Sequence, residues 1–89
     1  MKGQTISVGA VGTISTEVFK INYIQAVPSA ASMNVTLTNI AGVPFFHAKC
    51  GTVVESKELS LNGQEINGIK CSTFANCARV IIGAERMID

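Results

Sequence analysis

Met33-Asn34-Val35-Thr36-Leu37-Thr38 alternates apolar and polar side chains without a break. Successive side chains of an extended chain point to opposite faces, so this run reads as a strand with one face on a core and one in solvent. The next residues fit a chain reversal. In Asn39-Ile40-Ala41-Gly42-Val43-Pro44, Gly42 can supply a positive φ, and Pro44 opens the following strand where no ladder donor is lost. Phe45 to Lys49 is then the returning strand.

Outward from this hairpin the same chemistry prevails. Isoleucine and valine together number nineteen against three leucines in 89 residues. Branching at Cβ restricts χ1 and suits a pleated, half-buried surface better than a helix. Thr5 to Val8 reads as a short first strand, followed by the loose Gly9-Ala10-Val11-Gly12. From Thr16 to Gln25, Phe19, Ile21 and Tyr23 share one parity and are expected to face inward. Lys57 to Leu61 alternates with Leu59 and Leu61 inward, and Asn62-Gly63 is the strongest tight-turn signal in the chain. Ile69 to Thr73 and Ala78 to Ile82 are expected to form a terminal hairpin with Ala75-Asn76 at its tip. That register pairs Cys71 with Val80 and Ile69 with Ile82 on the core face, leaves Ile81 outward, and sends Cys71 and Cys77 to opposite faces.

With no amphipathic helical stretch, the expected fold class is all-β: a small antiparallel β-sandwich or jelly-roll-like barrel of six to eight short strands. Residues 1–89 make one domain, with residues 1–15 readable as a flexible N-terminal arm.

Composition narrows the partners. Hydrophobic residues are 47% of the chain and charged residues 15%, against roughly 25% charged in an ordinary soluble domain. Mean hydropathy is +0.36. A small domain has proportionally the most surface to cover, so apolar groups must face outward, as they do where copies or other proteins cover them. The net charge is +1, and the seven cations are scattered, which gives no footprint for nucleic acid or an anionic membrane. No apolar run is long enough to span a bilayer, and the N-terminal residues are too interrupted for a signal peptide. The chain reads as made and kept in a cytoplasm, or released from one by lysis. Cys50, Cys71 and Cys77 are an odd count without C-x-x-C spacing and read as reduced, buried thiols.

Chemistry-bearing residues are sparse. His47 is the one histidine and stands on a strand, three residues before Cys50 but of opposite parity to it. The five glutamates are isolated and read as solvating strand edges. Gly9-Ala10-Val11-Gly12 has no helix behind it to cradle a phosphate. No catalytic residue, cofactor site or metal site is expected, and an enzyme pairing His47 with a cysteine is the weakest alternative. The five aromatics are too dispersed for a base-stacking row, although a small barrel binding single-stranded nucleic acid or another ligand is the alternative function. Adjacent strand residues face opposite ways, so one of Phe45 and Phe46 must leave the core. Phe45, Phe46 and Ile81 are therefore the candidate interface residues.

Asn67-Gly68-Ile69-Lys70-Cys71-Ser72-Thr73, a short tip and Ala78-Arg79-Val80-Ile81-Ile82 resemble the closing hairpin of small β-sandwich proteins encoded in the structural gene clusters of tailed bacteriophages. Val35 to Asn39, the Gly42 turn and Pro44-Phe45-Phe46 are similar too. The sequence departs from that pattern in carrying Cys71 and Cys77 and in lacking acidic turn residues. The resemblance implies a virion protein assembled in the host cytoplasm: a capsid decoration or cement protein, or a head-tail accessory. It would act through a homo-oligomer, a trimer among the options, and through contacts with the capsid or another virion protein. It implies no catalytic residues.

Overall fold

The computed structural model describes residues 3–86, and every element in it is a strand. They are β1 (Gly3–Val8), β2 (Gly12–Pro28), β3 (Asn34–Thr38), β4 (Pro44–Lys49), β5 (Lys57–Ala75) and β6 (Cys77–Arg86). All pairings are antiparallel, in one sheet of order β1-β6-β2-β5-β3-β4. The all-β antiparallel expectation holds, although β2 with 17 residues and β5 with 19 are far longer than the short strands foreseen.

A flat single sheet would leave both faces wet. Here Val35 and Leu37 of β3 and Val80 and Ile82 of β6 are all completely buried, and they belong to one hydrophobic cluster with Val8, Phe19, Ile24, Phe46 and Ile69. The sheet must therefore curl over itself so that its β3–β4 wing covers its β1-β6-β2 wing. Strand β5 joins the two wings. Residues from Lys57 to Cys71 pair with β2, whereas those from Lys70 to Ala75 pair with β3. The domain that results measures 41 × 21 × 17 Å.

The β3–β4 hairpin is the one that the alternation pointed to. Met33, Val35 and Leu37 are buried, Pro44 opens β4, and Gly42 has φ 86°. Asn39 holds the turn: its Oδ1 accepts from the Ala41 and Val43 amides at 3.0 Å each, and its own amide donates to the Val43 carbonyl at 2.9 Å. Thr38, of polar parity, is nonetheless buried, with its hydroxyl donating to the Asn39 carbonyl.

Several expectations are corrected. Ile69 to Thr73 and Ala78 to Ile82 do not form a hairpin, because β2 lies between β5 and β6 in the sheet. Their inward parity survives, with Ile69, Cys71, Val80 and Ile82 all buried. The partners differ: Cys71 faces Leu37 and Gly12, whereas Val80 faces Val8 and Ala26. Asn76, at φ 53°, carries the chain from one wing to the other, so Cys71 and Cys77 are both buried in the core rather than on opposite faces.

Asn62-Gly63 is not a chain reversal. Between Tyr23↔Ser60 and Ile21↔Gln64 strand β5 advances four residues while β2 advances two, so Asn62 (φ 51°) and Gly63 (φ 81°) form a bulge inside β5. The same irregularity inserts Asn22 into β2 and reverses the parity beyond it. Phe19 and Ile21 are buried as expected, but Tyr23 is 45% exposed, and Ile24 and Ala26 take the inward positions.

The segment readable as an N-terminal arm divides in the structure: Gly3–Val8 pairs along β6, and Gly12 onward belongs to β2. Met1, Lys2 and residues 87–89 lie outside the described residues.

Gly68 sits where β5 adds β3 as a partner. Its φ is 84°, and a Cβ there would lie 2.7 Å from Ile40 Cβ and 3.1 Å from the Ile40 amide nitrogen. Gly63 has a similar φ but only Asn22 Oδ1 nearby, at 3.7 Å. Gly68→Ala should therefore cost about 3 kcal/mol, backbone strain plus a collision with main chain, and Gly63→Ala about 1 kcal/mol from strain alone. Urea denaturation of the two variants checks this, and equal losses would show that the Ile40 contact does not matter.

Candidate functional site

Register places the outward residues of the β1-β6-β2-β5 wing in rows. One row is Ser7, Ile81, Gln25 and Glu58; the next is Thr5, Gly83, Tyr23 and Ser60; a third is Gly3, Glu85, Lys20 and Glu65. Ile81 is half-buried on this outer face, in a row otherwise made of polar side chains. Tyr23 lies against Gly83, so closely that a Cβ on Gly83 would fall 2.0 Å from Tyr23 Cε1. The ring covers backbone that a glycine leaves bare, as aromatic partners of strand glycines do. Ile81 and Tyr23 thus form a small apolar area beside the row in which Lys20 stands between two glutamates.

The other candidates lie elsewhere. Phe46 is 5% exposed and packs into the core opposite Leu37, so it is no surface anchor. Phe45 is the one that faces out, half-buried and leaning on the core cluster. It stands on β4, at the far end of the strand order from β6, and no ladder connects it to Ile81. The structure does not gather Phe45, Phe46 and Ile81 into one patch.

Sequence periodicity missed the most exposed apolar residues. Val53 is 68% exposed, Val11 62%, Val43 59% and Val54 53%, all in loops, where alternation gives no signal. Leu59, expected inward, does continue the inner row Ile6, Ile82, Ile24. As its last member it is 41% exposed.

His47 is exposed, and its Nε2 lies 3.0 Å from Asn34 Oδ1, donating to it in the tautomer that carries the proton there. Cys50 is buried on the other parity. Among the described residues no group of three His, Cys, Asp or Glu side chains could hold a metal ion. Glu17 is ion-paired with Arg86 and Glu55 with Lys57, at 2.6 Å in the second case; that pairing holds the Glu55 carboxyl below its ordinary pKa. The Glu17 pair lies in a cavity of about 300 Å³ lined by Thr16, Glu17, Val18 and Arg86. Both pairs are largely exposed, and such pairs contribute little to stability.

No protein-family profile, curated protein or solved structure matches the chain.

The three cysteines are free thiols. Burial pushes the Cys71 and Cys77 pKa values upward, and each thiol has a backbone carbonyl to donate to: Cys71 that of Thr73 at 3.3 Å, and Cys77, with its one proton, that of Val27 at 3.2 Å or of Arg79 at 3.3 Å. A thiol that donates must keep its proton, and a protonated thiol is a poor nucleophile. Because the folded pKa values are the raised ones, the stabilisation is complete below the ordinary thiol pKa of about 8.5 and is lost as pH climbs through the folded values. Urea midpoints measured upward from neutral pH should fall in the alkaline range, and they should do so less in a Cys71→Ala/Cys77→Ala variant. A pH-independent difference between the two proteins would rule out this linkage. In the native protein, disulfide-exchange reagents should label both thiols far more slowly than in urea.

Proposed function

We propose that this chain is a non-enzymatic structural protein of a virion. In that role it is a capsid decoration or cement protein, or a head-tail accessory, assembled in the host cytoplasm and working through contacts with its own copies and with the shell. The observation that carries this reading is the apolar surface. Val11, Val43, Val53 and Val54 project from loops and Tyr23 from the outer face, on a chain with only six acidic and seven basic residues. Side chains of this kind gain free energy by leaving water at roughly 25 cal/mol per Å², and a surface with few charges has little desolvation to oppose it. An interface of standard size, about 800 Å² per partner, would take about a sixth of the 4798 Å² surface. The domain has room for a shell contact and a contact between copies. The sequence likeness of the β3–β4 region and of residues 67–73 and 78–82 to small phage structural proteins supplies the virion setting, although the last two segments are not neighbours in the sheet.

Cosedimentation of the purified chain with assembled phage shells, alongside light scattering of the chain alone, tests the proposal. The expected result is binding to particles by the wild type, and binding at least tenfold weaker, about 1.4 kcal/mol, for Ile81→Lys with an unchanged melting temperature. A wild-type protein that stays monomeric and ignores particles sinks the proposal, and undiminished binding by the variant takes Ile81 out of the contact.

A further inference from the structure

Among the described residues the strand order ends in two edges, β1 and β4, each with a row of backbone N–H and C=O groups and no strand beyond it; residues 57–67 of β5 also pair on one side only, along a stretch that carries Lys57, Glu58, Glu65 and the Asn62-Gly63 bulge. Such edges recruit other strands unless something blunts them. The β4 edge is blunted several times over. It begins with Pro44, its ladder to β3 is interrupted between Leu37 and Thr38, and His47 and Lys49 are exposed along it. The β1 edge has none of these devices. Gly3–Val8 holds an unbroken register with β6 from Gly3↔Glu85 to Val8↔Val80, and from Gly3 to Thr16 the sequence contains neither a charge nor a proline.

The side chains on β1 show what the edge lacks. Ile6 heads the inner row whose next members, Ile82 and Ile24, are completely buried, yet Ile6 itself is only half-buried, because the sheet stops there. Thr5 and Ser7 face outward and are exposed. A strand added at this edge would complete the burial of Ile6 and satisfy the outer backbone groups of β1.

We propose that the added strand is β1 of a second copy of this chain, running antiparallel about a twofold axis centred on Ile6. In that register Ile6 meets Ile6 of the second copy, Gln4 meets Val8, and Thr5 meets Ser7, so the inward and outward sets match and one sheet runs through both molecules. A copy suits this edge for two reasons. Opposed residues of an antiparallel pair share a face, so β1 placed on itself with Ile6 at the centre matches its own alternation. An uncharged strand also neither repels its copy nor offers a charged partner anything to hold. The pairing rests on the self-association in the proposed function and not on the virion setting, and it makes the basic assembly a dimer.

Sedimentation velocity on the full chain from about 1 to 100 μM reads the assembly directly, with hydrogen exchange at both ends of that range. The expected result is a reversible dimer whose β1 amides become protected as concentration rises while those of β4 do not. Thr5→Lys/Ser7→Lys places lysines opposite one another across the twofold at exposed positions. It should weaken the dimer at least tenfold with an unchanged urea midpoint. A wild type that is monomeric throughout, a trimer, concentration-independent exchange in β1, or a double variant that dimerises as tightly as the wild type overturns the proposal. The two proposals fail separately: a dimer that does not bind particles defeats the virion role alone, and a particle-binding protein with no β1 protection defeats the edge pairing alone.

Discussion

Strand β5 has to serve two neighbours, and the fold is built around the place where it does so. Up to Asn67 it runs along β2; by Lys70 it also carries β3 on its other side, and the Ile40 amide donates to the Asn67 carbonyl at 2.8 Å just before the exchange. Ile40 and the β5 backbone approach so closely there that residue 68 has no room for a side chain and takes a left-handed φ. The β2–β5 register also shifts around this point, between Thr13 and Ser15 and again between Ser15 and Val18, so the ladder bends instead of continuing flat. Without that bend the β3–β4 wing would extend away from β6, and Val35, Leu37 and Phe46 would lose the surface they bury against. One close backbone approach thus turns a single sheet into an enclosed core.

The inward and outward assignments could be read from the sequence because they are local. Val35, Leu37, Ile69, Val80 and Ile82 are buried where alternation puts them, and the Asn39–Pro44 turn carries its own chemistry in Asn39 and Gly42. Partnership is not local. Asn62-Gly63 supplies two positive φ values equally well to a hairpin or to a bulge, and only the presence of β2 alongside decides between them. The segments 69–73 and 78–82 have compatible alternation, but β2, far away in sequence, takes the place between them. A single inserted residue, Asn22, reverses the face of Tyr23, and nothing in the pattern from Thr16 to Gln25 marks it.

The candidate site shows the same division. That one of Phe45 and Phe46 must leave the core follows from strand geometry, and Phe45 is the one that does. Ile81 emerges half-buried on the outer face, as its parity requires. The loop valines carry no signal in the sequence because loops have no periodicity, even though Val53 and Val54 stand between Gly51 and Glu55 in a plainly irregular stretch. The charge deficit, a property of the whole chain, was the better guide to an apolar surface than any single position.

Strand β1 takes its sheet hydrogen bonds from β6 alone, the strand farthest from it along the chain. On a ribosome the first strand would emerge long before the one that receives it, and in solution its closure must wait for the most distant contact in the molecule. Strand β1 is therefore made well before it can be placed, and for that interval an uncharged, apolar-alternating segment is open on both edges. An open strand of this kind is a template on which another chain can pair.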